Sequence, residues 1–205
     1  MTDLLPPGST IGILGGGQLG RMLSVAAARL GYKTHIYEPA ANAPAADVAH
    51  SVTTAPYEDE VALRAFAGSV DVITYEFENV PTSALDLLES LRPIRPNRRT
   101  LAISQDRILE KDFLSGLGLT TAPYAAVTSA ADLDAALARI GTPSILKTTR
   151  LGYDGKGQAR IRSAADAPEP AEGSMALASR KSRTCGFPSL EALMFWGFKS
   201  RWTIP

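Results

Sequence analysis

The sequence feature that most constrains the fold is an apolar strand that leads directly into a glycine-rich turn near the N-terminus. Residues 10–14 form a short, partly β-branched apolar run, which is typical of a buried strand. The segment Gly15-Gly16-Gly17-Gln18-Leu19-Gly20 follows, and apolar residues then recur at helical spacing up to Gly31, a natural helix stop. Because residues 33–37 resemble a second strand, the order strand, turn, helix, strand predicts a right-handed parallel crossover.

Strand and helix patterns continue to alternate along the first half of the chain. A helical pattern over residues 60–66 precedes a strand pattern over 70–75, and another helix is expected after Pro81. This alternation predicts an α/β fold, with a doubly wound parallel-sheet domain over residues 1–96. A second unit is predicted over residues 97–171, with a capping box that begins at Ser129.

The composition excludes several classes of protein. With 205 residues, 45% of them hydrophobic, the chain can form one or two domains and is too apolar to be mainly disordered. No apolar run approaches the ~18 residues that a membrane span needs, and Asp3 stands where a secretory signal would carry a base. A formal net charge of zero argues against nucleic acid as the main partner. The single Cys185 excludes an internal disulfide. Together with the lack of a membrane span and of a secretory signal, this predicts a cytoplasmic protein with no membrane partner.

The zero net charge hides a break in composition near residue 171. Residues 1–171 contain 16 Lys or Arg and 19 Asp or Glu, whereas residues 172–205 contain 5 and 2. The last 34 residues also hold both tryptophans, the only cysteine and three of the six phenylalanines. These differences require that residues 172–205 be interpreted separately from the rest of the chain.

The glycine turn has two interpretations. The spacing Gly15-x-Gly17-x-x-Gly20 fits the fingerprint of a nucleotide-binding crossover, in which free amides at a helix N-terminus hold an anion. Glu38 lies 18 residues after Gly20, roughly where NAD proteins place a ribose-binding acid. A strand-to-helix turn without a ligand explains the same spacing, and a phosphate bound there need not belong to NAD.

Polar residues also follow the strand predicted over residues 70–75. Glu76 and Asn79 lie just beyond its end, and the carboxyl ends of strands line the ligand crevice of an open α/β sheet. Both side chains are therefore candidates to hydrogen-bond a polar substrate. The alternative is a helix N-cap at Asn79 beside an exposed acidic turn.

A second glycine-rich segment, residues 152–158, lies between two strand-like segments. Its glycines can bring backbone amides against phosphate oxygens, with charge added by Lys156 and by Lys147 on the preceding strand. It lacks the Gly-Lys-Ser/Thr form of a P-loop, and a flexible hairpin explains it as well. No metal site is predicted, because His35 and His50 are too few and lack helical spacing.

Three motifs occur in order and together resemble one known family. They are residues 13–22 around the glycine turn, residues 74–81 with the sequence TYEFENVP, and Lys147 followed by residues 152–158. In this combination the chain resembles the N5-carboxyaminoimidazole ribonucleotide synthetases, the ATP-grasp ligases of purine biosynthesis. The resemblance covers about residues 10–165 and only the N-terminal part of that family. Residues 97–171 would then be an incomplete ATP-grasp domain.

The resemblance implies a reaction and its binding residues. ATP would phosphorylate bicarbonate to carboxyphosphate, with Mg²⁺ screening the phosphates, and the product would carboxylate 5-aminoimidazole ribonucleotide. The residues implied at the ATP site are Arg107, Lys147, Gly152, Tyr153, Asp154, Gly155, Lys156, Gly157 and Gln158. Those implied at the ribonucleotide site are Gly17, Gln18, Leu19, Glu76, Asn79, Tyr153 and Asp154. No catalytic residue is assigned, and Glu38 loses its NAD role.

The chain departs from the family after about residue 171, at the point where its composition changes. Residues 172–205 are therefore predicted to be a divergent tail, aberrant or out of frame, and the alternative is a genuine short variant with a new C-terminal helix. The metal-binding acids and the bicarbonate site of the family are not recognisable there, so we expect the metal ligands elsewhere and no turnover by this chain alone. The full-length family suggests a homodimer. Two other functions stay open: a non-catalytic nucleotide-binding fragment, and an NAD-binding protein based on the glycine turn and Glu38.

Overall fold

Four parallel strands form the centre of the first unit in the computed structural model, which describes residues 4–151, 157–166, 168 and 175–179. This unit ends at Ser104 and the second begins at Gln105. The strands of the first unit are β1 (Thr10–Leu14), β2 (Lys33–Tyr37), β3 (Ser51–Thr53) and β4 (Val72–Tyr75). Its helices are α1 (Gln18–Arg29), α2 (Glu60–Gly68), α3 (Thr82–Glu89) and α4 (Arg98–Ser104).

The strand order β3-β2-β1-β4 confirms the predicted α/β fold with a parallel sheet. The chain passes from β1 through α1 to β2, which pairs parallel to β1 from Thr10 opposite Lys33 to Leu14 opposite Tyr37. Separate apolar clusters cover the sheet. Ile13 and Ile36 pack with Leu23 of α1, whereas Leu14 and Tyr37 pack with residues of α2 and α3. Because both faces of the sheet are covered, successive residues are buried on the central strands, as with Ile13 and Leu14 on β1 and Ile36 and Tyr37 on β2.

The second unit is built around an antiparallel sheet. Its strands are β5 (Tyr124–Val127), β6 (Ser144–Thr148), β7 (Gln158–Ile161) and β8 (Met175–Ser179), in the order β5-β8-β6-β7. Its helices are α5 (Arg107–Gly116) and α6 (Ala130–Ile140). The predicted cap of α6 is present, since the amide of Asp132 donates to Ser129 Oγ at 3.1 Å. One face of the sheet packs with α6 through Leu133, Leu146 and Leu177.

The unit boundaries differ from those that the sequence predicts. Helix α4 follows residue 96, yet its Leu101 is buried in the core of the first unit. Strand β8 follows residue 171, yet it lies between β5 and β6 in the second sheet. In β8, Met175 and Leu177 face the core and alternate with alanines, which is a strand pattern. This pattern is too short to be visible in a composition averaged over 34 residues. The predicted tail from residue 180 onward lies outside the described residues.

No helix within the described ranges is both long enough and apolar enough to cross a lipid bilayer.

Candidate functional site

The glycine turn at the end of β1 is closed by a carboxylate from β4. Gly15 has a φ of +105°, and a Cβ there would lie 2.8 Å from Glu76 Oε1, so only glycine fits without a shift. The amide of Glu76 donates to the carbonyl of Leu14 at 3.0 Å, which continues the pairing of β1 with β4. The Glu76 side chain then turns back, and its Oε1 accepts a hydrogen bond from the amide of Gly17 at 2.8 Å.

A second carboxylate accepts a hydrogen bond from the neighbouring amide of the turn, that of Gly16. Glu38 follows β2, and its Oε2 accepts from the amide of Gly16 at 2.7 Å while its Oε1 accepts from the amide of Ala40 at 3.0 Å. The amides of Gly16 and Gly17 therefore donate to the protein's own carboxylates. The fingerprint, by contrast, predicts that amides of this turn are free to hold the anion of a ligand. The carboxylate of Glu38 therefore binds the backbone of the turn and of residue 40, whereas an NAD protein would use it for a ribose hydroxyl.

The surroundings of Glu76 shift the pKa of its carboxyl upward. Burial raises the pKa of the Glu76 carboxyl, the negative charge of Glu38 raises it further, and hydrogen bonds from the amides of Gly17 and Gly20 lower it in part. Two carboxylates that share one turn repel a phosphate by Coulomb's law and attract hydroxyl or amine donors. This turn is consequently suited to a neutral hydrogen-bonding group of a ligand.

Other predicted ligand contacts lie next to this turn or just beyond β4. Gln18 is the first residue of α1 and is exposed, and Leu19 is 39% exposed. Asn79 lies in a half-buried turn after β4. The proposed N-cap at Asn79 is absent, because α3 begins at Thr82 with Pro81 in the capping position.

Tyr57, which the sequence motifs do not include, lies at this end of the sheet. Its ring stacks on Tyr37 with centroids 5.6 Å apart, and the residue is only 7% exposed. Burial raises the pKa of the Tyr57 hydroxyl, and the carboxylates of Glu38 and Glu76 raise it further. Among the described residues the buried hydroxyl has no hydrogen-bond partner. Tyr57 follows β3, so the rule that pointed to Glu76, which is that polar groups after parallel strands converge, would also have found it.

In the second unit, Arg107 joins the start of α5 to the end of β6. Asp106 caps the helix by accepting from the amides of Ile108 and Leu109. The Arg107 guanidinium donates to the carbonyls of Thr148 at 2.7 Å and Thr149 at 3.2 Å. Arg107 therefore contacts the residues that follow Lys147 on β6, and the assignment of both cations to one site stays a prediction.

The segment after Lys147 turns back as an antiparallel pair. Lys147 is half-buried and pairs with Gln158 in the register of β6 and β7. The amide of Thr148 donates to the carbonyl of Gly157 at 2.9 Å, and Gly157 has a φ of +65°. The remaining predicted loop residues, Gly152, Tyr153, Asp154, Gly155 and Lys156, lie outside the described residues.

Comparisons with known proteins agree with this division into two units. Residues 8–105 match the ribonucleotide synthetase preATP-grasp domain, and residues 112–182 match the ATP-grasp domain. The chain is 56% identical over 159 residues to a Brucella melitensis protein named N5-carboxyaminoimidazole ribonucleotide synthase, covering 78% of this chain and 44% of that protein. The chain thus spans less than half the length of that relative.

Solved structures show the same similarity. One is an ADP complex of an N5-carboxyaminoimidazole ribonucleotide synthetase, with a TM-score of 0.81 and 40% identity, covering 87% of this chain and 48% of that one. Another, from Aspergillus clavatus, is an N5-carboxyaminoimidazole synthase in complex with ADP and the aminoimidazole ribonucleotide. It has a TM-score of 0.72 and 27% identity, covering 84% of this chain and 46% of that one.

Proposed function

The chain belongs to the N5-carboxyaminoimidazole ribonucleotide synthase family, and on that premise we propose that it provides binding elements for the ATP-dependent carboxylation of 5-aminoimidazole ribonucleotide. Bicarbonate is the carbon source in this proposal, carboxyphosphate is the activated intermediate, and the reaction serves purine biosynthesis. The first unit binds the ribonucleotide and the second binds the phosphates of ATP.

The observation that carries the proposal is the hydrogen bond between Glu76 and the amide of Gly17. It fixes an acceptor beside Gln18 and Leu19, where the hydroxyl groups of a ribose can donate. The turn has its amides filled by Glu38 and Glu76, so it disfavours a pyrophosphate such as that of NAD. The phosphate of the ribonucleotide accordingly binds away from these two carboxylates, and Asn79 is a further donor for the same ligand.

For the second unit, we assign Lys147 and Arg107 to the phosphates of ATP. Lys147 makes no ion pair with the described residues, so its charge is available to a polyphosphate. Arg107 is held at the end of β6 by two carbonyl groups and lies at the same end of the sheet. Gly152, Tyr153, Asp154, Gly155, Lys156, Gly157 and Gln158 complete this proposal as the loop over the phosphates, with Tyr153 and Asp154 also near the ribonucleotide.

The chemistry demands that several negative charges share one site. A triphosphate, a bicarbonate and a ribonucleotide phosphate repel one another. Fixed cations in a site that excludes water reduce that repulsion more than the same cations would in water. Mg²⁺ would add charge screening. The described residues contain no group of three His, Cys, Asp or Glu side chains placed to hold a metal ion, so we assign it no ligand among them. The same proposal includes a cytoplasmic location and a homodimeric assembly.

Titration calorimetry on the purified 205-residue chain tests the proposal. We expect binding of the aminoimidazole ribonucleotide and of ADP, each detectable without the other. Glu76→Gln should weaken the ribonucleotide by about tenfold and leave ADP unchanged, because a charged acceptor is replaced by a neutral one. The matched control is Glu89→Gln, since Glu89 is an exposed acid at the end of α3. A folded chain that binds no ribonucleotide, or a Glu76→Gln variant that binds it as tightly as the unchanged chain, would contradict the proposal.

A further inference from the structure

A lysine that the sequence motifs do not include lies beside the cations of the second unit. Lys111 follows Arg107 by four residues on α5, so the two side chains share one face of the helix. The Lys111 ammonium lies 5.3 Å from the centroid of the Tyr124 ring, within the range of a cation–π contact. The hydroxyl of Tyr124 donates to Asp112 on α5, which fixes the ring under the lysine.

The positive charge of Lys147 acts on the Lys111 ammonium group. Burial lowers the pKa of the Lys111 ammonium, the positive charge of Lys147 lowers it further, and Glu110 acts in the opposite direction. Lys147 projects from the face of the sheet opposite Leu146, because successive residues of a strand point to opposite sides. Tyr124 lies on that same face of β5, since its neighbour Ala125 packs in the core with α6.

Neither lysine is paired with an acid in the described part of the chain. The ion pairs found there are Arg21 with Asp47, Arg64 with Glu60, and Arg98 with Asp86, all in the first unit. Burial and the repulsion between the two ammonium groups both disfavour the charge of Lys111, and Glu110 offsets this only in part. A bound anion removes that cost, and a polyphosphate has enough charge to neutralise both groups.

We propose that Lys111 is a second phosphate-binding cation of the nucleotide site, acting together with Lys147, and that Tyr124 is the positioning residue that holds its ammonium group. The inference rests on the proposed function, because it takes the ligand to be an adenine nucleotide with at least two phosphates. Lys111 would then contact the phosphates directly from α5, outside β6 and the glycine-rich segment.

Titration with ADP separates the inference from the function on which it rests. Lys111→Met should weaken ADP about tenfold or more, the effect of losing one charge-assisted hydrogen bond. Lys111→Arg should retain most of the affinity. Lys33→Met makes the same chemical change at an exposed position of β2 in the other unit and should have no effect. Tyr124→Leu should weaken ADP, whereas Tyr124→Phe keeps the ring and should restore most of the affinity.

Lysine methylation of the unchanged chain provides a second measurement. Bound ADP should protect Lys111 and Lys147 from reductive methylation and leave Lys33 reactive, with mass spectrometry as the readout. If the unchanged chain binds no ADP, nucleotide binding fails and the inference fails with it. If it binds ADP while Lys111→Met binds equally well, or Lys111 is not protected, the inference alone is overturned and the proposed function stands.

Discussion

The amide of Gly17 donates to Glu76 Oε1 across 59 positions of sequence, at 2.8 Å, and joins the turn after β1 to the end of β4. The bond satisfies an amide at the start of α1, which helices otherwise leave unpaired. It also holds the carboxylate where burial and the charge of Glu38 oppose ionisation. One side chain thus stabilises the turn and presents an acceptor to a ligand.

Glu76→Ala and Glu76→Gln should differ sharply in stability. The alanine variant leaves the Gly17 amide unpaired in a half-buried site, which should cost about 1–3 kcal/mol of unfolding free energy. The glutamine variant keeps an acceptor oxygen and removes the repulsion with Glu38, so it should remain within about 1 kcal/mol of the unchanged chain. Urea unfolding measures both, and equal losses for the two variants would show that the hydrogen bond is not the stabilising contact.

Gly15→Ala should destabilise the first unit. The residue combines a φ of +105° with a Cβ position 2.8 Å from Glu76 Oε1, and together these should cost about 2 kcal/mol or more. Gly68→Ala is the matched control, because nothing lies within 4 Å of its Cβ position at the end of α2. That control should be neutral or more stable by up to about 1 kcal/mol in urea unfolding. A harmless Gly15→Ala would show that the turn tolerates a different backbone.

The elements around this turn are predictable from sequence because their signals are local. The apolar run of β1, the glycines and the helical spacing of α1 all lie within residues 10–31, and the structure forms each of them. The placement of Glu76 near the turn also follows from a general rule, since the carboxyl ends of parallel strands share one edge.

What the sequence does not reveal depends on contacts between distant segments. Nothing near Gly16 indicates that Glu38, 22 residues later, occupies its amide and excludes an anion. Strand β8 is hidden for a different reason, because five residues with the pattern MALAS are too few to stand out in a segment of unusual composition. Lys111 shows only helical spacing in the sequence, and its contact with the Tyr124 ring of β5 depends on how α5 packs against that strand.

Stability should fall in mild acid because of His35. Its Nδ1 lies 2.7 Å from Ser69 Oγ and its Nε2 lies 2.8 Å from Thr53 Oγ1. Ser69 Oγ already donates its proton to the carbonyl of Phe66, so it accepts from Nδ1–H, and Nε2 accepts from Thr53. Both ring nitrogens are therefore satisfied in the neutral form.

Burial lowers the pKa of His35, and the charge of His50 lowers it further, so the unfolded chain binds the proton more readily than the folded chain does. The stabilisation is complete above the unfolded pKa of about 6.5 and is lost as the pH falls through that value toward the folded pKa. Unfolding free energies between about pH 8 and pH 5 measure the effect. His35→Gln should flatten this dependence, and His50→Gln, which changes an exposed residue, should leave most of it in place.

The stacked pair Tyr37 and Tyr57 provides an internal comparison for one hydroxyl group. The Tyr37 hydroxyl donates to the carbonyl of Pro56 at 2.6 Å, so Tyr37→Phe should cost about 1 kcal/mol. The Tyr57 hydroxyl is buried without a hydrogen-bond partner among the described residues, and Tyr57→Phe should leave stability unchanged or raise it by about 1 kcal/mol. Both rings keep their apolar contacts, so urea unfolding of the two variants isolates the hydroxyl contribution. A loss for Tyr57→Phe as large as that for Tyr37→Phe would show that this hydroxyl is hydrogen-bonded in solution.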